Sequence, residues 1–361
     1  MEDTTQMLND IEKIRAVDPG NMYNRIFDFP EQVAEALKLA SGWNVSAADF
    51  PDVKNIVVIG MGGSAIGGDL CRSLLSGQLM IPFHVCRHYQ LPEFVDDESL
   101  VIASSYSGNT EETLSALDDA LARKAMICAL STGGMLEDVA GLNEIPLLHL
   151  PTGLQPRAAL GYSFVPIAAL MEKLGLVKGI TEQLSNAVTQ LRDWRENYIE
   201  DTPVAQNLAK QLAQKMHGKL PIIYGGPTLT DVIAVRWKGQ VCENAKNLAF
   251  ANTYAEFNHN ELVGWCEIVK PHTDHLMVVQ LRDKGDHPQI ARRMDIVKGI
   301  IEKTGVEVID VTSRGVTEID RMMSLIQLGD FTSYYLAVLN EVDPTPVEAI
   351  ETLKKALAAQ A

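Results

Sequence analysis

Hydroxyl side chains crowd around one glycine in residues 104–113 of this chain. Ser105, Ser107 and Thr110 surround that glycine, after a short apolar run and before a predicted helix. Hydroxyls at a helix N-terminus can donate to phosphate oxygens, and a hydrogen bond to a charged group is worth roughly 1.5 to 3 kcal/mol. The type and spacing of these residues therefore predict a phosphate-binding loop.

A simpler interpretation of the same segment is a helix cap. Asn109 or Thr110 would then accept a hydrogen bond from a first-turn backbone N–H. Glu112 or Thr113 would be the partner in a capping box. One cap accounts for one hydroxyl, whereas three hydroxyls lie around the same glycine. Phosphate binding is therefore the preferred hypothesis.

A glycine-rich loop precedes this segment, at residues 60–68, between a predicted strand and a predicted helix. Glycines let the backbone approach a phosphate closely, and a helix N-terminus presents N–H groups to it. We predict that Gly62, Gly63 and Ser64 take part in the phosphate site.

The glycine loop also fits the dinucleotide fingerprint G-x-G-x-x-A, so a nicotinamide-dependent oxidoreductase is a competing hypothesis. An NAD enzyme needs an Asp or Glu at the end of the next strand to hold the ribose. That strand is predicted to end at Cys86, followed by Arg87 and His88. The missing acid counts against NAD, but Arg87 leaves NADP open. A purely structural turn is the third alternative.

Two residues in the second half of the chain could transfer protons. Glu243 is predicted at the start of a helix beside Gly239, and His259 follows in the string EFNHNELVGW. Two such groups close together could act as a general acid and a general base, each of which typically contributes about 10² to 10⁴ in rate. Taken singly, Glu243 would be an ordinary first-turn acid and His259 a surface or core histidine.

The Ser-x-Ser-Gly-Asn-Thr string, with the preceding glycine loop, resembles the sugar isomerase (SIS) domain. The resemblance implies that this loop binds the phosphate of a phosphosugar. The implied phosphate ligands are Ser64, Ser105, Ser107 and Thr110. A non-catalytic sugar-phosphate-binding regulator of the SIS type would keep the loop and show no turnover. The absence of a basic helix-turn-helix from so long a chain argues against that alternative.

The strings around Glu243 and His259 resemble those of the bifunctional phosphoglucose/phosphomannose isomerases, and the resemblance runs from the first glycine loop to the final helix. The reaction of that family opens the sugar ring and then moves a proton between C1 and C2 through a cis-enediol, whose negative charge a cation stabilises. The resemblance implies that Glu243 is the base that shuttles the proton and that His259 opens the ring. Arg157 matches the family's enediolate-stabilising arginine. Lys354 matches the lysine that the final helix brings into the site, with Lys355 as the alternative.

The resemblance also implies the reaction and its setting. The expected enzyme interconverts glucose 6-phosphate and fructose 6-phosphate, and also mannose 6-phosphate and fructose 6-phosphate. No metal ion or cofactor is expected. The family resemblance implies a homodimer with the active site between two lobes, in which His259 can act from the partner subunit.

Short apolar runs alternate with helical patterns from residue 55 onwards. Each run is a predicted strand, and the runs are Ile56–Ile59, Phe83–Cys86, Leu100–Ala103, Met126–Leu130, Leu147–Leu150, Leu220–Tyr224, Leu276–Leu281 and Val306–Val311. This alternation predicts parallel sheets with helices on both faces. We expect an α/β protein of two SIS-type, flavodoxin-like lobes, with a helical N-terminal extension and a C-terminal helix. The predicted lobes are residues 1–200, which include bridging helices, and residues 201–361.

The charge balance argues against nucleic acid and membranes as partners. The 361 residues include 31 Lys and Arg against 47 Asp and Glu, a net charge of -16. This charge would repel a phosphodiester backbone or an anionic membrane. The five cysteines contain no Cys-x-x-Cys pair, which favours mostly buried thiols in a reducing compartment. With a polar N-terminus that lacks an apolar leader, these features predict a cytoplasmic protein.

His272 and His275 are spaced as His-x-x-His, which raises the hypothesis of a metal site. No His-Glu-x-x-His motif accompanies them. Enediol chemistry also proceeds without a metal, so no metal site is predicted.

Overall fold

A computed structural model describes residues 4–359 of the chain, and these residues contain two parallel sheets. Contacts divide the chain into two compact units with one sheet each. The first-sheet unit comprises Asp28–Arg192 and Arg314–Met323; the second-sheet unit comprises the residues up to Phe27, Asp193–Ser313 and those from Ser324. The chain passes between them after Phe27, Arg192, Ser313 and Met323. The boundary predicted after residue 200 lies nearest to the second of these passages.

The segment before the first sheet is helical, as predicted. Its helices are α1 (Thr4–Asn9), α2 (Ile11–Val17), α3 (Met22–Phe27) and α4 (Phe29–Gly42). Asp18 lies at the break between α2 and α3, where its carboxylate accepts hydrogen bonds from the backbone N–H groups of Met22 and Tyr23 at 2.7 and 2.8 Å. These bonds begin a new helix where the previous one ends.

The first-sheet unit alternates strands with helices. Its strands are β1 (Asn55–Ile59), β2 (Phe83–Cys86), β3 (Ser99–Ser104), β4 (Met126–Ser131) and β5 (Leu147–His149). Its further helices are α5 (Gly62–Leu75), α6 (Glu111–Ala122), α7 (Met135–Leu142), α8 (Leu160–Lys173) and α9 (Ile180–Arg195), which ends beyond Arg192. The strands are parallel in the order β2-β1-β3-β4-β5. This is the flavodoxin-like order.

The core of this unit explains why its strands were predictable. β3 is buried at every residue, as expected for a central parallel strand covered on both faces. Val101 and Ala103 pack in one cluster with Leu117 of α6 and Leu136 of α7. The carboxyl ends of β1, β3 and β4 lie at the same edge of the sheet, where they carry three loops.

The second-sheet unit repeats the alternation. Its elements are α10 (Leu208–Met216), β6 (Leu220–Gly225), α11 (Thr230–Asn244), β7 (Phe250–Thr253), β8 (Leu276–Arg282), α12 (Pro288–Glu302), β9 (Glu307–Thr312), α13 (Glu318–Leu339), which begins before Ser324, and α14 (Glu348–Ala358). The strands are parallel in the order β7-β6-β8-β9. The apolar runs predicted β6, β8 and β9. β7 was not predicted.

An aromatic cluster anchors the irregular segment between β7 and β8. Phe257 stacks on Tyr224 of β6 with ring centroids 4.1 Å apart, and Tyr254 meets Phe257 edge-on at 4.6 Å. The indole N–H of Trp265 donates to the hydroxyl of Tyr224 at 3.0 Å. The irregular segment contains three 3₁₀ stretches, at Glu256–His259, Glu261–Gly264 and Glu267–His275, and Phe257 anchors the first of them.

Among residues 4–359, no helix has both the length and the apolar character needed to cross a membrane.

Candidate active site

The first glycine loop joins β1 to α5 in the first-sheet unit. Gly62 adopts a φ of +51°, and a Cβ added to Gly63 would lie 2.4 Å from the carbonyl oxygen of Pro156. The same Cβ would lie 3.0 Å from the backbone nitrogen of Arg157. Glycine at this position therefore lets the predicted phosphate loop touch the turn that carries the predicted arginine.

Ser64 links the first loop to the second. It is buried, and its Oγ accepts a hydrogen bond from the backbone N–H of Tyr106 at 3.1 Å. Ser104 donates its hydroxyl to the carbonyl oxygen of Ser64 at 3.4 Å. The two segments predicted to bind phosphate are thus in direct contact.

The hydroxyls of the second loop differ in their exposure. Ser105 is 1% exposed, and its Oγ lies 2.9 Å from Oγ1 of Thr110. Ser107 is exposed, and its Oγ accepts from the backbone N–H of Asn109 at 3.3 Å. Thr110 is the N-cap residue of α6 but makes no side-chain capping bond. The cap hypothesis therefore does not describe Thr110.

A third loop, residues 132–134 after β4, supports the second and was missed by the sequence analysis. Thr132 donates its hydroxyl to the carbonyl oxygen of Tyr106 at 2.7 Å. The carbonyl oxygen of Gly133 lies where a Cβ of Gly108 would be, only 1.7 Å away. Asn109 accepts from the backbone N–H of Met135 at 3.0 Å. The string Ser-Thr-Gly-Gly directly after a strand was the signal that could have identified this loop.

Arg157 lies in a 3₁₀ turn, Pro156–Ala158, and is only 3% exposed. Gln32 holds this turn from both sides: its Nε2 donates to the carbonyl oxygen of Ala158 at 2.8 Å, and its Oε1 accepts from the N–H of Gly161 at 2.6 Å. A guanidinium keeps its positive charge even when it is buried. The backbone of a permanently charged residue thus lies against the glycine loop.

Glu243 lies at the end of a helix, so the prediction that it begins one is wrong. α11 starts at Thr230, and Glu243 is its penultimate residue. An acid here faces the negative end of the helix dipole, so favourable interaction with the dipole does not explain its presence. Gly239, taken as a start signal, is an interior helical residue whose added Cβ would meet nothing within 4 Å.

Glu243 lines a cavity of about 690 Å³ in the second-sheet unit. Leu248, Val347 and Ile350 contribute apolar walls to this cavity. The Lys246 ammonium donates to the backbone carbonyl of Glu243 at 2.7 Å, which closes the end of the helix. A half-buried carboxylate at the wall of a partly apolar cavity is suitable for proton transfer to or from a carbon.

His259 lies elsewhere in the same unit. It ends the 3₁₀ segment Glu256–His259, is exposed, and is absent from the lining of the Glu243 cavity. Phe257, two residues earlier, is fully buried and anchors the segment. Within the residues described, the structure therefore does not bring this histidine into the cavity of Glu243.

Lys354 lies on α14, whose residues are all exposed. The first turn of this helix, at Glu348, Ala349 and Ile350, lines the Glu243 cavity, and Lys354 follows one turn later. Lys354 and Lys355 therefore lie about one helical turn beyond the residues that line the cavity of Glu243. Neither lysine lines the cavity itself.

The comparisons with known proteins decide the family. Residues 205–357 match the model of the bacterial phospho-glucose isomerase C-terminal SIS domain. The bifunctional phosphoglucose/phosphomannose isomerase of Caldicellulosiruptor bescii is 47% identical over 337 residues, which cover 93% of this chain and 99% of that protein. The chain belongs to the bifunctional phosphoglucose/phosphomannose isomerase family. The Aquifex aeolicus protein of the same name is 35% identical over 317 residues, 87% of this chain and 94% of that protein.

The fold of this phosphoglucose/phosphomannose isomerase family member was also compared with solved structures. A hypothetical protein of Thermus thermophilus superposes with a TM-score of 0.74 at 16% identity, covering 97% of this chain and 93% of that chain. At this identity the likeness concerns the fold alone. Together with the matched SIS model, it confirms the predicted SIS-type α/β architecture.

The structure bears on two alternatives that the sequence raised for this isomerase-family chain, an NADP site and a metal site. The guanidinium of Arg87, which an NADP site would use, is paired with the carboxylate of Asp69. In the part of the chain that the structure describes, no group of three or more His, Cys, Asp and Glu is arranged to hold a metal ion. His272 and His275 are both exposed in the segment Glu267–His275.

The cysteines follow the expectation of buried thiols. Cys71, Cys86 and Cys128 are buried, Cys242 is half-buried and Cys266 is exposed, and all are free. Burial raises the pKa of the Cys71 and Cys128 thiols, because it disfavours the thiolate. These two side chains therefore act as small apolar groups of the core.

Proposed function

We propose that this protein interconverts glucose 6-phosphate and fructose 6-phosphate, and mannose 6-phosphate and fructose 6-phosphate, by proton transfer through a cis-enediol. The observation that carries the proposal is the 47% identity to the Caldicellulosiruptor bescii isomerase over 93% of this chain. The geometry supports it. The first-sheet unit carries glycine and hydroxyl residues of the kind that bind phosphate, and the second-sheet unit carries the carboxylate of Glu243 at the wall of a cavity.

The substrate phosphate is assigned to the first two loops of the first-sheet unit. The proposed ligands are Gly62, Gly63, Ser64, Ser105, Ser107 and Thr110. Three observations support this role. The two loops are joined through Ser64, Ser107 is exposed, and the hydroxyl of Thr110 makes no capping hydrogen bond to α6. The dipole at the start of α6 adds favourable interaction with an anion.

The proton-transfer residues have distinct proposed roles. Glu243 moves the proton between C1 and C2, and Arg157 stabilises the negative charge that develops on the enediolate oxygen. His259 assists ring opening. We propose that the chain forms a homodimer and that His259 acts in the partner subunit, which its exposure and its absence from the cavity lining support. The free thiols support a cytoplasmic location.

The proposal is tested by assaying the purified protein on glucose 6-phosphate and on mannose 6-phosphate, separately and with a chelator present. Fructose 6-phosphate is expected from both. In deuterium oxide, deuterium is expected at C2 of recovered aldose phosphate, because the enediol mechanism exchanges that proton with solvent. Binding without turnover of either sugar would identify a non-catalytic phosphosugar-binding protein instead.

The two lysines of α14 provide a matched pair. Ile350, Leu353 and Leu357 form an apolar stripe, and at about 100° per residue Lys354 borders this stripe whereas Lys355 lies on the opposite side. A helix that packs through its stripe would bring Lys354, and not Lys355, towards the substrate. Lys354→Ala is expected to lower kcat/KM about 10- to 100-fold, and Lys355→Ala less than twofold. Steady-state assays check this, and the reverse order would transfer the role to Lys355.

A further inference from the structure

α11, the helix that ends at Glu243, is joined to α13 by a row of buried polar contacts in the second-sheet unit. The indole N–H of Trp237 donates to the carbonyl oxygen of Leu325 at 2.8 Å. Arg236 donates to both carboxylate oxygens of Asp330 at 2.9 and 2.6 Å. Gln240, one turn later, donates to the same carboxylate at 2.8 Å. Since hydrogen bonds are directional, this row sets both the register and the rotation of α11 against α13.

The row ends at the residue that follows Glu243. The Nδ2 of Asn244 donates to the hydroxyl of Ser333 at 3.0 Å, and both residues are 0% exposed. Asn340 donates to the carbonyl oxygen of Ala245, the C-cap residue, at 2.9 Å. The last turn of α11 is therefore tied to α13 through Ser333 and to Asn340, the residue that follows α13.

These ties matter because a terminal helical turn is otherwise prone to fray. Glu243 lies in that turn, on the cavity side, whereas Asn244 points into the core. A carboxylate that transfers a proton to carbon must be held close to the productive geometry, and a misplacement of about 1 Å can cost about 10²-fold in rate. Buried polar contacts supply that constraint without touching the substrate.

We propose that Asn244 and Ser333 are positioning residues for Glu243. Their hydrogen bond holds the last turn of α11 so that the carboxylate of Glu243 keeps one orientation towards the cavity. The proposal rests on the proposed function, since it takes Glu243 as the base.

The experiment compares two buried hydroxyls on α13. Ser333 and Thr332 each donate to a carbonyl oxygen of α13, at 2.8 and 2.7 Å. Of these two hydroxyls, Ser333 is the one that also accepts a hydrogen bond from α11, through Asn244. Ser333→Ala therefore removes the tie to α11, while Thr332→Val removes a comparable hydroxyl and leaves the tie intact. Both variants are assayed as full-length protein, for kcat, KM, melting temperature and amide hydrogen exchange of residues 241–245.

Ser333→Ala is expected to lower kcat about 10- to 100-fold with KM changed less than about threefold, and to speed amide exchange in residues 241–245. Thr332→Val is expected to show neither effect at a similar melting temperature. Equal behaviour of the two variants, or faster exchange without a fall in kcat, would overturn the positioning role alone. An inactive wild type would overturn the proposed function first, and the positioning role with it.

Discussion

Glu243→Gln is expected to lower kcat for glucose 6-phosphate and for mannose 6-phosphate by about 10³- to 10⁴-fold, with KM within a few-fold of wild type. Gln has nearly the same size, so the cavity of about 690 Å³ keeps its walls. The amide cannot take up and return the proton that moves between C1 and C2. Because this interaction exists in the transition state and not in the bound aldose phosphate, the loss falls on kcat. Steady-state kinetics on both substrates measure it.

A matched control is available in the same cavity. Glu348, in the first turn of α14, also lines the cavity and is exposed. Glu348→Gln removes one negative charge from the same place and is expected to change kcat less than about threefold, since it leaves the proposed base intact. If the Glu348 variant were inactive and the Glu243 variant active, the assignment of the base would move to Glu348. Deuterium exchange at C2 should disappear in Glu243→Gln alone.

Gly108→Ala is expected to destabilise the protein by about 3 to 5 kcal/mol, the largest stability effect we predict. Gly108 has a φ of +69°, where a side chain costs about 1 to 2 kcal/mol. An added Cβ would also lie 1.7 Å from the carbonyl oxygen of Gly133, which is backbone and cannot rotate away. The second and third loops must separate, so phosphate binding is expected to weaken together with stability. Urea unfolding and competition by inorganic phosphate measure the two effects.

Gly77 provides the comparison for this substitution. It is exposed just after α5, has no positive φ, and an added Cβ would meet nothing within 4 Å. Gly77→Ala is expected to change stability by less than about 1 kcal/mol and to leave phosphate competition unchanged. A Gly108 variant as stable as the Gly77 variant would show that the contact between the second and third loops is not formed as described.

The loops that carry hydroxyls and glycines could be predicted from sequence, because their structure is largely local. A strand, a glycine-rich turn and a helix follow one another within a few residues, and a parallel strand covered on both faces appears as an unbroken apolar run. The runs therefore predicted β1 to within one residue at each end. β7 has no such run: Phe250–Thr253 is short and partly polar, and it is a strand because it pairs with β6.

The position of Glu243 could not be predicted in the same way. Gly239 suggested a helix boundary, but a glycine inside a helix costs only about 1 kcal/mol relative to alanine. The buried contacts of Trp237, Gln240 and Asn244 with α13 offset that cost and continue the helix to its end. Those partners lie far along the chain, so no local pattern shows them.

The sequence by itself determined the α/β class, the order of most strands along the chain and the two loops rich in glycine and hydroxyl residues, because each depends on residues close together in the chain. Only the tertiary structure decided that a third loop closes on Gly108, that Arg157 lies against the first loop, and that Glu243 ends α11 beside a cavity. Each of these facts is a contact between distant segments. Such contacts are selected by close packing and by the need to satisfy buried polar groups, which are properties of the folded chain as a whole.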